Sequence, residues 1–331
     1  MRKINIPIFV SHQGCPNDCI FCNQKKITGV YKKEKYEEIK YKIKTYLDSA
    51  DRNAEIEISF FGGSFTGIDM DEQNMYLETA GEFFYDKRIT GIRISTRPDY
   101  ITEEILNNLA AKGVTTIELG VQSMNDKVLM LNKRGHKSQA TFDAVKLIRK
   151  FPFKLGLQMM VGMYGSDEET DKYTCEEIIK LCPDFVRIYP TVVIRQTELF
   201  DLYNNKLFVP YSLEDAIRIS ADILKRFNET NIDVIRIGLM AGEDINENQV
   251  FGPYHSSFRE LVESYLYYEK LYKDISALTS KRIKIICKKS ETSKIIGNKR
   301  NNIKKLIKEL NLESLRVVND DIEEYIIKED V

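Results

Sequence analysis

Short apolar runs alternate with amphipathic stretches along most of this chain. Runs rich in β-branched and aromatic residues, each of strand length, lie at Ile6–Val10, Ile56–Phe61, Gly91–Ser95, Thr115–Val121, Phe153–Val161, Phe185–Tyr189 and Val234–Ile237. Between them, apolar residues recur at helical spacing over Tyr36–Leu47, Asp71–Tyr85, Thr102–Lys112, Ser138–Lys150, Asp167–Leu181 and Leu213–Phe227. Thr102 followed by Glu104, and Asp167-Glu168-Glu169, supply helix-start signals. Strand–helix alternation predicts βαβ units around a parallel sheet. Repeated this often, it suits an α/β fold built as a full or partial (β/α) TIM-like barrel, with an open doubly wound sheet as the rival. In either fold the loops leaving the C-terminal strand ends carry the chemistry.

The rhythm changes after Glu243. A helix is expected over Ser257–Tyr272, then a strand at Arg282–Cys287, a helix at Asn301–Leu310, a strand at Leu315–Val318 and a last strand near Glu324–Ile327. The expected organisation is a partial barrel over residues 1–243, a helical extension over 244–274 and a small basic α+β domain over 275–331. Charge is uneven in that last part. Lys281 to Lys308 holds eleven Lys or Arg against the single acid Glu291, while Glu309 to Val331 holds two bases and eight acids.

Composition narrows the class. The 331 residues are 43% hydrophobic and 30% charged, with a formal net charge of −1, the profile of a folded globular protein and not of a bulk polyanion binder. Ile56–Phe61 and Leu155–Met163, the most apolar stretches, fall well short of the roughly 18–20 residues that cross a bilayer. Met1–Pro7 lacks the apolar run of a signal peptide. Six cysteines without an export signal suggest a reducing, cytoplasmic setting.

Three of those cysteines, Cys15, Cys19 and Cys22, crowd into one loop directly after the first strand. Three thiolates spaced in this way fold round one cuboidal iron–sulfur cluster, and the missing fourth ligand leaves one iron open to a small molecule. A closed zinc site of the three thiols with His12, or three thiols without a ligand, are the alternatives. Cys175 and Cys182 share one helix side but lack the further ligands an auxiliary cluster needs, and Cys287 stands alone. His136 and His255 read as structural histidines.

The loop Gly14-Cys15-Pro16-Asn17-Asp18-Cys19-Ile20-Phe21-Cys22 resembles the cluster motif of the radical SAM superfamily. Phe60-Phe61-Gly62-Gly63-Ser64 resembles its glycine motif. Ser95-Thr96-Arg97-Pro98-Asp99-Tyr100, Glu118–Ser123, Lys133-Arg134-Gly135-His136, Arg187–Thr191 and Gly252-Pro253-Tyr254-His255 resemble the branch containing the Elongator catalytic subunit, without that subunit's acetyltransferase domain. The resemblance implies a four-iron four-sulfur cluster on Cys15, Cys19 and Cys22 and S-adenosylmethionine on its open iron. It further implies an electron donor such as flavodoxin or ferredoxin, and cleavage of S-adenosylmethionine to a 5′-deoxyadenosyl radical. Gly62, Gly63 and Ser64 are then expected to hold the methionyl end, and Ser95, Arg97, Gln122 and Ser123 to contact ribose or substrate. Arg187 and Tyr189 are the candidate catalytic pair, and Met159, Met160 and Met163 could wall the adenine.

Ser293–Leu306 resembles the GXXG segment of a KH RNA-binding domain, with Arg300 at the second glycine position. Lys294, Lys299, Arg300, Lys304 and Lys305 would supply phosphate contacts. The expectation is a radical SAM enzyme acting on RNA, a tRNA base in particular. The alternatives are a small-molecule or peptide substrate, or a non-enzymatic RNA-binding protein with a structural metal.

Overall fold

All seven expected strands of the first part form, and they join one sheet. The computed structural model describes residues 3–10, 15, 19–23, 34–239 and 250–329. The strands are β1 (Lys3–Phe9), β2 (Glu55–Phe61), β3 (Ile89–Thr96), β4 (Val114–Gln122), β5 (Lys154–Val161), β6 (Phe185–Pro190) and, after the two-residue β7 (Val193–Ile194), β8 (Asp233–Ile237). Their order in the sheet is β1-β2-β3-β4-β5-β6-β8, every neighbour parallel, and the sheet curls into a half-barrel. The open-sheet rival is thereby set aside.

Helices α1 (Tyr36–Ser49), α2 (Met70–Gly81), α3 (Glu103–Ala111), α5 (Ser138–Ile148), α6 (Glu168–Lys180) and α8 (Leu213–Glu229) cover the convex face, with short helices α4 (Asp126–Leu131) and α7 (Glu198–Asn204) inserted among them. Thr102 and Asp167 cap α3 and α6 through side chains that accept from Ile105 N and Thr170 N. The expected second helix stops at Gly81 and not at Tyr85. There Asp86 and the carbonyls of Leu47 and Ala50 hold the Arg88 guanidinium and draw the chain back across the end of α1.

The strand faces divide by period two. Ile56, Ile58 and Phe60 of β2, Ile117, Leu119 and Val121 of β4, and Leu155, Leu157 and Met159 of β5 pack outward with Ile39, Ile43, Leu77 and Leu106 of the helices. Met159 therefore lies on the helix side, away from any ligand inside. The inward face is polar, with Glu57, Arg93, Glu118, Gln158 and Arg187. One bulge breaks the period in β8: Val234 pairs with Val186, and Arg236, skipping Ile235, pairs with Arg187.

A second sheet follows. After β9 (Val250–Phe251), which pairs antiparallel with β7, the long α9 (Phe258–Ser276) leads to β10 (Arg282–Cys287), α10 (Thr292–Ile296), α11 (Asn301–Glu309), β11 (Ser314–Asn319) and β12 (Ile326–Glu329). The sheet order is β11-β10-β12, with β10 parallel to β11 and antiparallel to β12. Ile283, Ile285, Cys287, Ile295, Ile303 and Leu306 form its own core. α9 serves both cores, Phe258 and Val262 in the barrel's and Leu271 and Ile275 in the smaller one. The expected boundary at residues 243 and 244 lies outside the described residues. No helix among the described residues is long and apolar enough to cross a membrane.

α6 carries a buried acid, Asp171, whose Oδ2 accepts from the Gly162 N–H at 2.9 Å and from the Tyr211 hydroxyl at 3.3 Å. Burial pushes its pKa up to about 7 against these hydrogen bonds. The unfolded chain releases this proton near the ordinary carboxylate value of about 3.9, whereas the folded chain keeps it until about pH 7. The group therefore subtracts stability as pH rises across that window. Asp171→Asn stays neutral throughout. Its thermal midpoint is expected to gain on the parent's as pH rises, with no further gain above about pH 8; melting curves across the range check the slope.

Candidate active site

Parallel strands put all their C-terminal ends on one rim, so the loops after β1 to β6 face each other there. Cys15, Cys19 and Cys22 follow β1. The Cys19–Cys22 stretch is a tight turn closed by Cys22 N donating to Cys19 O at 2.9 Å. Ile20 anchors it, buried in an apolar nest with Val193, Leu199 and Phe208. Its backbone is held on both sides, Ile20 N donating to Asn132 O at 3.4 Å and Leu199 N donating to Ile20 O at 2.8 Å. Asn132 is itself fully buried and donates to Tyr164 O and Val128 O, at the end of α4. Two short helices that the apolar periodicity did not reveal thus clamp the cysteine loop.

Two guanidiniums lie over the thiols. Arg134 donates from Nη1 to Cys19 Sγ at 3.2 Å and from Nη2 to Gly120 O at 2.6 Å. Arg97 is held by Asp99 through Nε at 2.9 Å and Nη2 at 2.7 Å, and also donates to Arg134 O. Burial pushes the Cys15 thiol up and Cys19 adds to it, while Arg97, Arg134 and the Ser64 backbone N–H pull it down. Cationic neighbours of this kind favour thiolate over thiol. Among the described residues no three His, Cys, Asp or Glu side chains close on a point that one ion could occupy. A cuboidal cluster makes a different demand, since each thiolate binds its own iron. The donor set fits it: three cysteines on one pinned loop, with two cations against the negative charge of a thiolate-ligated cluster. His12 lies outside the described residues.

The other expected residues divide by where their polar atoms go. Gly62 takes φ 92°, a left-handed turn open to glycine, directly after β2. Ser64 is fully buried; its hydroxyl shares a hydrogen with Thr96 Oγ1 at 2.9 Å and accepts from Arg97 N at 3.3 Å, which leaves its backbone as the part turned to the cysteines. Gln122 adopts φ 67° at the end of β4 with a buried, unpartnered Oε1, while Ser123 turns outward to Thr174 and Asn125 N. Ser95 faces inward at 3.5 Å from Gln158 Nε2. His255 accepts from Ser257 N in the turn before α9, and burial with Arg134 lowers the His136 pKa. Cys175 packs in the helix-side core, where burial pushes its thiol up to about 12.

Inside the half-barrel a charged chain crosses five strands. Arg93 donates to Glu57 Oε2 at 2.9 Å and to Glu118 Oε1 at 2.5 Å. Arg187 donates to the same Glu118 from Nη2 to Oε1 at 2.8 Å and pairs with it by charge, its Nε lying 2.7 Å from Oε2, and Gln158 Nε2 donates to Oε2 at 2.8 Å. Glu118 has no exposed side-chain surface; burial opposes its charge, but Arg187 and Arg93 overcome this and keep its pKa low. Tyr189 lies beside Arg187 and is pushed up by burial. Arg187 is thus brought to the interior together with Tyr189, yet its charge is committed to Glu118. From sequence Glu57 and Arg93 do not stand out, and Glu118 and Arg134 appear only within the resemblance motifs without a role, because their partners stand on other strands and loops.

The profile of the Radical SAM superfamily matches residues 9–178, and that of the Radical_SAM C-terminal domain matches residues 183–268. The tRNA uridine(34) acetyltransferase of Methanocaldococcus jannaschii is 28% identical over 254 residues, covering 65% of this chain and 47% of the relative. Human Elongator complex protein 3 is 34% identical over 137 residues, covering 40% of this chain and 25% of the relative. The solved structure of N-terminally truncated Elp3 from Methanocaldococcus infernus superposes with a TM-score of 0.63 at 26% identity, covering 81% of this chain and 63% of that one. The chain thus spans about half or less of the length of these curated relatives. With the first profile matching just over half of its length, and the cysteine loop, glycine turn and half-barrel in their places, this chain belongs to the radical SAM superfamily of enzymes.

Proposed function

We propose that this protein is a radical SAM enzyme that modifies a tRNA base. The single observation that carries the chemistry is the pinned cysteine loop at the rim, lying under Arg134 and Arg97. Cys15, Cys19 and Cys22 would hold a four-iron four-sulfur cluster. Gly62, Gly63, the Ser64 backbone and Gln122 would bind S-adenosylmethionine beside it. When bound, the pair supplies reductive cleavage of S-adenosylmethionine to a 5′-deoxyadenosyl radical, with the electron delivered by a flavodoxin- or ferredoxin-type donor. This chain's own task is to bind, orient and exclude water. Membership in an enzyme superfamily sets aside the reading as a non-enzymatic RNA-binding module.

The choice of tRNA rests on relatives that carry tRNA uridine(34) acetyltransferase names and on the basic C-terminal unit. There β10-α10-α11-β11 forms a strand–helix–helix–strand unit whose helices meet at Gly297–Arg300. Gly297 takes φ 77°, and a Cβ there would meet Asn302, whose Nδ2 ties α10 to Ser264 of α9. Arg300 takes φ 61°, the left-handed conformation that the second glycine of a GXXG turn adopts freely. Lys299, Arg300, Lys304 and Lys308 are exposed on this side. Lys305 instead lies over the Tyr268 ring.

Alanine at Cys15, Cys19 or Cys22 is expected to abolish S-adenosylmethionine cleavage under anaerobic reconstitution. The triple variant should retain no cluster by iron and sulfide analysis; about four irons per chain remaining in it would refute the assignment.

Arg134→Met removes a hydrogen bond to sulfur and a positive charge. The reduction potential of the reconstituted cluster is therefore expected to fall, as read by redox titration of its electron paramagnetic resonance signal. An unchanged potential would place Arg134 outside the cluster's field.

Lys299, Arg300, Lys304 and Lys308 changed together to Glu should weaken tRNA binding by at least about tenfold in low salt, with a shallower salt dependence, and leave iron content unchanged. A parent protein without tRNA affinity at low salt would move the assignment to a small-molecule substrate.

A further inference from the structure

Arg236 stands apart from the other interior cations. Glu57, Arg93, Glu118 and Arg187 form a linear chain of alternating charge whose two acids balance its two bases. Arg236 follows on the next strand, directly beside Arg187 in the sheet register, and among the described residues no carboxylate pairs with it. Its position is not the one that simple strand alternation assigns. With period two, Arg236 would share the outward, apolar face with Val234, and Ile237 would point inward. The bulge at Ile235 reverses this: Ile237 joins the helix-side core and Arg236 turns to the interior with Arg187 and Tyr189. Bulges re-aim side chains at sites, and here the re-aimed group is a guanidinium.

Bringing a second cation beside Arg187, half out of water, is unfavourable unless an anion joins it. Burial and the charges of Arg187 and Arg259 disfavour the protonated form, opposed by the fields of Tyr189 and Glu118. The planar donor fork of Arg, flanked by a second guanidinium and a phenol, suits a phosphate or a carboxylate.

We infer that Arg236, with Arg187 and Tyr189 beside it, is the anchor for an oxyanion group of the substrate inside the half-barrel. The inference goes beyond the tRNA reading and does not depend on it, because a nucleotide phosphate and the carboxylate or phosphate of a small molecule present the same chemistry. Tyr189 and Arg187 then act here as positioning and binding groups for that anion.

The test uses the reconstituted, cluster-bearing protein and three variants, Arg236→Gln, Arg236→Lys and the charge-reversed C-terminal variant above. Thermal midpoints and equilibrium binding are measured with inorganic phosphate, acetate and chloride at matched ionic strength. Phosphate or acetate is expected to stabilise the parent and the C-terminal variant above the chloride control, and the better of the two identifies the group. Arg236→Gln should weaken that binding by about tenfold or more, with Arg236→Lys between the two. In chloride alone Arg236→Gln should be at least as stable as the parent, since a half-buried positive charge beside Arg187 has been removed. The inference is overturned if neither anion outdoes chloride, if Arg236→Gln binds as the parent does, or if that variant is destabilised in chloride, which is the mark of a structural arginine.

Discussion

Glu118 with its two arginines is the interaction on which the interior of this protein depends. A carboxylate without exposed side-chain surface is tolerable only because Arg93 and Arg187 grip it from both sides and Gln158 takes its remaining lone pair. The same contacts join strands β3, β4, β5 and β6, and Arg93 passes the link to Glu57 on β2. Arg93 also lies over the Phe185 ring and Arg187 over the Phe61 ring, so the stems of the cations fill space that aliphatic layers fill in an ordinary barrel. Removing one member would strand a buried charge, typically at a cost of about 3–5 kcal/mol. The interior is therefore a fixed polar floor beneath the open rim.

Above that floor, the rim is organised by a second set of cations with a different duty. Arg134 and Arg97 are linked to each other, since Arg97 donates to the Arg134 carbonyl, and each is steadied by a further acceptor, Gly120 O for one and Asp99 for the other. Positive charge held near Cys15 opposes the desolvation that burial imposes on its thiol. Among its described residues the cysteine loop forms one tight turn, Cys19–Cys22. It is positioned by Ile20 in its apolar nest and by backbone bonds to Asn132 and Leu199, so α4 and α7 act as its clamp. The Cys and Gly residues carry the chemistry, and neighbours that look ordinary in sequence hold them in place.

The C-terminal unit is coupled to the barrel through one helix. α9 inserts Phe258 and Val262 into one core and Leu271 and Ile275 into the other, and Asn302 bonds to Ser264 on the same helix. The basic turn at Gly297–Arg300 is thus tied to the barrel by α9 and does not hang on a free linker. Two ion pairs draw on the local excess of positive charge, Arg282 with Glu313 and Lys294 with Glu263.

Period-two and period-3.6 patterns were enough to place every strand of the main sheet and its main helices, because a parallel strand covered by helices must present an unbroken outward stripe such as Ile56, Ile58 and Phe60. Cys15, Cys19 and Cys22 were legible as well, since a cluster loop brings its ligands from one short segment. Residues whose meaning depends on a partner far along the chain were not. Arg134 meets Cys19 across 115 positions, and Arg187 meets Glu118 across 69. The short α4 and α7 bury too few residues to print a period, and the shift of the last strand to Ile326–Glu329 follows its pairing with β10. Arg236 is the sharpest case: strand alternation assigns it to the wrong face, and only the pairing of β8 with β6, which spends one extra residue at Ile235, turns it inward. The sequence by itself determined the alternation of elements and the cysteine loop, because both are written in local spacing. The tertiary structure decided which charges meet and which face each presents, because those depend on register between strands that the chain brings together only on folding.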